Sequence, residues 1–401
     1  MKQFRHILSV LMIILIAVLA SGTIVERLHG SEVAMAQVYG TWWFVGLWAL
    51  MAILMVWMAV KYRMWRQPVV LILHLSILLI LMGALLTKFT GQQGRMLLRP
   101  GKPTHTFYVG NAVENHPVKL PFTLTLDRFE IVPYSGTRTP MDFVSHVTIG
   151  DGSEGEKTTI SMNHILRHRH YRFYQTDFDQ WGDSILSVTR DPWGIGFTYT
   201  GYALLFISLV TMLIKRQTPR GLADQKRSTA NRVVTLTWLS VLVILLVVLY
   251  IRMLTHQLMP VLRSPLFSVH ISTIVTAYAL LLAIMLVGIM AIIKPKDLAW
   301  QERLKAISKA MLYPAVALLA TGIFIGAVWA NVSWGNYWSW DPKEVWALIT
   351  LLIYMAPLHE SIWKSFHKPL FFNIYVILAF LSVLTTYFGV NLVLGGIHSY
   401  N

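Results

Sequence analysis

Four tryptophans and a tyrosine fall within Trp334-Gly-Asn-Tyr-Trp-Ser-Trp-Asp-Pro-Lys-Glu-Val-Trp346, between two long apolar runs. Single tryptophans near a membrane face serve as interfacial anchors, and Trp42, Trp43 and Trp48 read that way. Four within thirteen residues, with Asp341, Lys343 and Glu344 among them, exceed an anchoring need. Trp334, Trp338, Trp340, Asp341 and Trp346 are therefore the candidates for a reactive shelf under a planar ligand. Indole faces stack on a wide π-system and leave its edge open.

Histidine is the second candidate chemistry. Of fourteen, His105, His116, His146, His164, His168 and His170 lie in a polar stretch and read as solvated, and His6 and His367 sit in basic flanks. His74 lies inside Val69-Val-Leu-Ile-Leu-His-Leu-Ser-Ile-Leu-Leu-Ile-Leu81. An ionisable side chain in such a run faces a partner or a cavity; the plainer alternative is a helix-to-helix hydrogen bond. His359 closes Leu351-Leu-Ile-Tyr-Met-Ala-Pro-Leu-His, where an interfacial histidine is the plainer alternative. His270 opens an apolar run after Pro265-Leu-Phe-Ser-Val, and His398 follows Gly395-Gly-Ile, whose glycines let backbone approach a ligand closely. Neutral imidazole is a good iron ligand and axial identity sets redox poise, so haem is the ligand these residues suit.

The elements that must position them follow from composition. The chain has 401 residues, 55% hydrophobic and 13% charged. Soluble domains carry about 25% charged residues, so this is an integral membrane protein. Nine spans of a length fit to cross a bilayer are predicted, at about 7–24, 42–60, 69–87, 195–214, 233–254, 270–293, 310–330, 346–362 and 369–391. Lys and Arg gather in alternate short loops, which predicts a cytoplasmic N-terminus and a C-terminus on the outer face. The net charge of +15 is thus a membrane-topology signal, and nucleic-acid binding is not expected. The absence of cysteine excludes disulfides, thiolate ligands and dithiol exchange by this chain. Ile7 to Ile24 has no convincing small-x-small cleavage site and reads as a retained helix.

On this topology the third span runs outward from near Val69 and the eighth runs inward to near His359. His74 and His359 then sit at one depth toward the inside, able to ligate one iron from opposite sides. His270, His398 and the tryptophan segment meet at the outer face, as do His29 and His256. Alternating stretches such as Phe122-Thr-Leu-Thr-Leu126 and Tyr171-Arg-Phe-Tyr-Gln175, split by Gly150-Asp-Gly-Ser-Glu-Gly155, predict an antiparallel β domain over 89–194. The expected fold is an all-α polytopic membrane protein with a small extracytoplasmic antiparallel β domain.

Trp334 to Trp346 resembles the tryptophan-rich WWD signature of haem-handling proteins. With Pro265-Leu-Phe-Ser-Val-His270 and Gly389-Val-Asn-Leu-Val-Leu-Gly-Gly-Ile-His-Ser-Tyr400, the C-terminal part is similar to CcsA (ResC). Gly22-Thr-Ile-Val-Glu26, the span with His74, and Tyr171-Arg-Phe-Tyr-Gln-Thr176 with Asp191-Pro192 resemble CcsB (ResB). The whole resembles a fused CcsBA, the System II cytochrome c synthase family. The resemblance implies a CcsB-like half over 1–215, a cytoplasmic linker over 216–231, and a CcsA-like half over 232–401 with its WWD loop at 333–346.

It further implies a holocytochrome c synthase (cytochrome c haem lyase) of the bacterial inner membrane. Such a protein exports haem b and, with ferrous haem, joins its vinyl groups to the Cys-x-x-Cys-His motif of apocytochrome c on the outer face. On that pattern His74 and His359 match the transmembrane ligands, and His270 and His398 the outer axial pair. Separate thiol-disulfide proteins are expected to keep the substrate cysteines reduced. The β domain is shorter than in many family members, and no helix is expected beyond His398. Two alternatives remain open on the residues: a b-type electron carrier, and a haem-delivery factor needing a partner. Arg63, Arg66 and Lys364 read as ordinary positive flanks, with haem propionates near a cytoplasmic entrance as the alternative.

Overall fold

The computed structural model describes residues 2–110, 115–150, 155–214 and 260–395. The predicted span 233–254, the linker, His256 and His398 lie outside the described residues. Three apolar helices come first: α1 (Lys2–His29), α2 (Trp42–Lys61) and α3 (Pro68–Thr90). Between α1 and α2 the chain turns through a short helix, Ser31–Ala34, and a π-helical turn, Met35–Tyr39. Pro68 starts α3, where a missing N–H costs nothing.

Eight strands follow: β1 (Gln92–Leu98), β2 (Pro103–Gly110), β3 (Asn115–Pro133), β4 (Pro140–Ile149), β5 (Glu156–Ser161), β6 (Leu166–His168), β7 (Tyr171–Phe178) and β8 (Ser184–Arg190). They form one antiparallel sheet in the order β5-β4-β3-β2-β1-β8-β7-β6. Its two edges meet where Ser161 and His164 exchange backbone hydrogen bonds, so the sheet curls into a near-barrel. Met96, Leu98, Phe107, Leu124, Leu126, Val147, Ile160, Phe173, Leu186 and Val188 fill its interior.

The expectation of an all-α protein with a small β domain is overturned. The β region is a sizeable unit with its own core, standing beside seven helices long and apolar enough to cross a membrane among the described residues. The segments recognised by alternation understated it because β3 is 19 residues long and shifts register against β4 twice, which breaks a simple period of two. Its first and last strands pair, so α3 enters and α4 (Gly194–Ile214) leaves side by side. Gly83 lets those helices touch, since a Cβ there would stand 2.2 Å from Thr198 Oγ1.

Among the described residues four helices build the C-terminal part: α5 (Pro265–Ile292), α6 (Leu298–Trp334), α7 (Pro342–Met355) and α8 (Pro369–Leu384), the last running on as a π-helical stretch, Thr385–Leu394. Helix α6 has 37 residues, far more than the predicted span 310–330. Its charged first turns are helical because Asp297 caps Trp300 N–H and Lys309 reaches Glu360 at 2.8 Å. The predicted span 346–362 is instead α7, 14 residues long, ending in a 3-10 turn, Ala356–His359, where Pro357 interrupts the helix. Helices α5, α6 and α8 share a core through Leu281, Ile284, Leu312, Leu319 and Phe372. Helix α1 packs on α7 through Leu15, Leu19, Val345 and Ile349, which joins the first helix to the last third of the chain.

Candidate functional site

His74 sits two turns into α3 and His359 closes the turn after α7. The fold brings these two rings together, with centroids 6.3 Å apart and planes 85° to each other. Each ring is oriented in the same way: Nδ1 of His74 bonds Val70 O at 2.8 Å, and Nδ1 of His359 bonds Met355 O at 2.9 Å. A carbonyl one helical turn back fixes the tautomer and leaves Nε2 for a ligand, as metal-binding imidazoles require. An imidazole nitrogen binds a first-row metal at about 2 Å, so two rings on one metal lie about 6 Å apart, the spacing found here. Among the described residues no group of three or more His, Cys, Asp or Glu is gathered for a bare ion. A pair is the donor set that suits an iron already held by a porphyrin.

Trp363 stands against His359 at 6.2 Å and donates to Ser9 Oγ of α1 at 2.6 Å. Beside them Glu360 pairs with Lys309 at 2.8 Å and Lys305 at 3.2 Å.

At the other end of the helices, next to the β domain, His270 lies in the second turn of α5. Its Nδ1 bonds Gly322 O of α6 at 2.8 Å, and its ring lies nearly parallel to Trp329 at 6.5 Å. Gly326 makes the room: a Cβ there would stand 2.6 Å from Cε1 and Nδ1 of the ring. Trp329 is buried and meets Trp334 edge-on at 4.9 Å. It lies just before the tryptophan-rich segment, and one more tryptophan in an apolar helix gave no signal in the sequence. The last described residue, Gly395, stands three residues before His398.

The tryptophan-rich loop leaves α6 at Gly335, whose φ of 90° and close contact with Tyr174 of β7 exclude a side chain. Its members point to different neighbours. Trp340, at φ 62°, stacks on Tyr39 at 4.9 Å and meets Phe44 at 5.0 Å. Trp338 meets Trp340 edge-on at 5.8 Å and packs on the core shared by α5, α6 and α8. Trp346 Nε1 donates to Thr23 Oγ1 of α1 at 3.2 Å. Asp341 is buried and caps α7 by accepting from Lys343 N at 2.9 Å, while Glu344 accepts from Ser339 N. Trp340 and Trp346 are thus held by the N-terminal half, and Trp334 reaches toward His270 through Trp329.

Three residues that the sequence reading did not single out for the site tie the loop down. Thr87 of α3 donates to Asp191 Oδ2 at 2.6 Å, Tyr337 of the loop donates to the same oxygen at 2.9 Å, and the two hydroxyls lie 2.7 Å apart. Burial pushes the Tyr337 phenol up, reinforced by the Asp191 charge, so it stays a donor. Burial lowers the Lys343 amine, partly offset by Asp341; its Nζ donates to Asn391 at 2.7 Å. Asn331 of α6 accepts from Arg172 at 3.0 Å and Tyr199 at 2.8 Å and donates to Gly335 O. The signal for these contacts was absent because all but the Asn331–Gly335 bond join residues far apart in the chain.

Two family models match. Residues 57–191 match the ResB-like family, and residues 199–398 match the cytochrome C assembly protein family. Protein NrfI of Wolinella succinogenes is 38% identical over 153 residues, 36% of this chain and 17% of that protein. The cytochrome c biogenesis protein CcsA of Microcystis aeruginosa is 46% identical over 113 residues, 28% of this chain and 34% of that protein. CcsA of Pyropia yezoensis is 56% identical over 85 residues, 21% of this chain and 26% of that protein. The chain spans less than half the length of these curated relatives. With both matches meeting on a multi-pass membrane protein, this chain belongs to the cytochrome c assembly proteins, joining a ResB-like segment and a CcsA-like segment in one polypeptide.

Proposed function

We propose that this chain carries haem b from the cytoplasmic face to the β-domain face of the bacterial inner membrane and joins it there to apocytochrome c. The observation that carries this reading is the pairing of His74 and His359 at 6.3 Å, at the opposite end of the helices from His270 and the tryptophan-rich loop. One donor pair without the other end would suit a resident electron carrier; two ends suit a cargo with an entry and an exit. The orientation follows from the basic loops, which put His74 and His359 toward the cytoplasm and the β domain outside. Haem is here a substrate. His74 and His359 hold its iron on entry, and His270 with His398 holds it on exit. Trp334 and Trp338, with Trp340, Asp341 and Trp346 fixing the loop, shield one face and leave the vinyl edge open.

At the exit each cysteine of a Cys-x-x-Cys-His motif adds across a vinyl group: sulfur bonds one carbon, the thiol proton goes to the other, and no electrons change hands. Ferrous iron bound by two imidazoles favours this addition. The chain has no thiol of its own, so thiol-disulfide proteins supply the reduced substrate. A haem-stained denaturing gel of a reporter apocytochrome, co-expressed with the chain in a host lacking a maturation system, tests the reading. Covalent haem on the reporter is expected. A haem-loaded, well-folded chain that leaves the reporter bare would refute it in favour of a delivery factor or an electron carrier.

A further inference from the structure

A cavity of about 410 Å³ opens between the β6–β7 hairpin and the start of α4. Arg167, Arg169 and Arg172 line it, with His170, Asp191 and Gly196. Arg167 and Arg172 sit directly opposite each other in the β6–β7 register. Like charges facing across a strand pair are destabilising. Among the described residues no carboxylate pairs with Arg167, Arg169 or Arg172: Arg172 reaches the amide of Asn331 at 3.0 Å and Arg169 reaches Pro121 O at 3.3 Å. Both oxygens of Asp191, the acid in the wall, are engaged, Oδ1 by Gly194 N at 2.7 Å and Oδ2 by Thr87 and Tyr337. The hairpin tip is also strained. Arg169 and His170 have φ of 47° and 69°, where a two-residue turn favours Asn and Gly. The chain thus holds facing arginines in the strands, where their charges disfavour it, and a strained Arg169-His170 at the tip, where the backbone does.

We propose that this pocket is an anion site for the propionate carboxylates of haem at the exit end. The guanidinium fork matches a carboxylate bidentately. Two wall residues lead straight to the tryptophan-rich loop: Arg172 through Asn331 to Gly335 O, and Asp191 to Tyr337. A carboxylate drawn onto Arg172 is therefore felt at Gly335 through Asn331, and haem seated there orients its opposite, vinyl-bearing edge away from the arginines. The proposal rests on the haem-handling reading given above.

The test compares haem with its dimethyl ester, which keeps ring and iron but lacks free carboxylates. Both are titrated onto the purified full chain, with His74→Ala and His359→Ala introduced so that only the exit end reports in the Soret band. Haem is expected to bind about tenfold or more tightly than the diester. Arg167→Gln, at a residue with no hydrogen bond or ion pair to the loop among the described residues, should abolish that difference and leave diester affinity unchanged. Arg128→Gln, on β3, should change neither. Equal affinity for haem and diester, or an Arg167→Gln effect of the same size on both, overturns the pocket while leaving haem handling intact. Loss of all haem binding by the chain with its histidines in place overturns both. In nanodiscs with and without phosphatidylglycerol, an Arg167-dependent retention of anionic lipid that displaces haem would make the pocket a headgroup site and overturn the proposal.

Discussion

The two histidine ends are built by opposite means. His74 and His359 are each oriented by a carbonyl of their own helix, four residues back, so each ring is set by local backbone and only the meeting of α3 and α7 is tertiary. His270 takes its orienting carbonyl from another helix, 52 residues along the chain, and fits only because position 326 has no side chain. Around it the loop is fastened to α3 and the β domain by hydrogen bonds that cross from one family segment to the other, and to α1, which precedes both, through Thr23. His74 and His359 come one from each matched segment, and the surroundings of His270 draw on both. On the proposed function the first would be an entry end that binds and releases, and the second an exit end that holds a substrate still while bonds form.

The strongest way to break this comparison is to remove one member of the local pair. His359→Ala, or His74→Ala, should weaken haem retention at that end by more than about 100-fold, since losing even a group that orients a metal ligand costs about 10- to 100-fold. Added imidazole should restore the low-spin spectrum in part, because the vacated site keeps its shape. With His270→Ala also present to silence the other end, an unchanged low-spin spectrum after either substitution would exclude a shared iron.

The next test acts on the assembled end alone. Gly326→Ala places a methyl 2.6 Å from the His270 ring, so the ring must leave Gly322 O or α6 must move. Overpacking of this kind costs about 1–3 kcal/mol. Reporter cytochrome yield should fall about tenfold while the spectrum of haem at His74 and His359 stays unchanged. If that spectrum shifts as well, the two ends are not independent in the way their construction implies.

Tyr337→Phe probes the knot between the segments. It removes the phenol that donates to Asp191 and leaves Thr87 as the remaining donor. A hydrogen bond to a charged group contributes about 1.5–3 kcal/mol, so stability should fall by an amount near that range and thermal unfolding should move to lower temperature. Cytochrome yield should fall with it. Unaltered yield at lowered stability would show that the loop holds its shape without the β-domain strap.

The nearness of His74 and His359 was partly legible beforehand. Apolar runs and loop charges predicted one depth for the two histidines, and the packing of the helices sets their rings 6.3 Å apart. The exit end was legible only as a list. The tryptophan count marked the loop, but nothing in it foretold that Trp340 would stack on Tyr39 with a left-handed backbone, or that Trp346 would donate to Thr23. Packing partners from separate segments leave no period in a sequence. The extent of the barrel was hidden for a related reason: bulged strands lose the alternation by which strands are read. The break after Met355 was legible in Pro357, yet hydropathy runs straight through it.

The smallest expected effect is also the most direct test of whether the first helix belongs to the exit end. Thr23 is fully buried, donates to Ala20 O at 2.7 Å within α1, and accepts the indole N–H of Trp346 at 3.2 Å. Thr23→Val keeps shape and volume while removing that acceptor, which leaves a shielded indole N–H without a partner at a cost of about 1 kcal/mol. Because Trp346 also packs on the Leu19, Tyr39 and Val345 cluster, the loop should keep its place and reporter yield should fall by no more than about fivefold. Spectra of haem at His74 and His359 should not change, since those residues share no contact with Thr23. A spectral change there, with yield intact, would mean that α1 acts on the entry end through Ser9 and Trp363 and not on the exit end through Trp346.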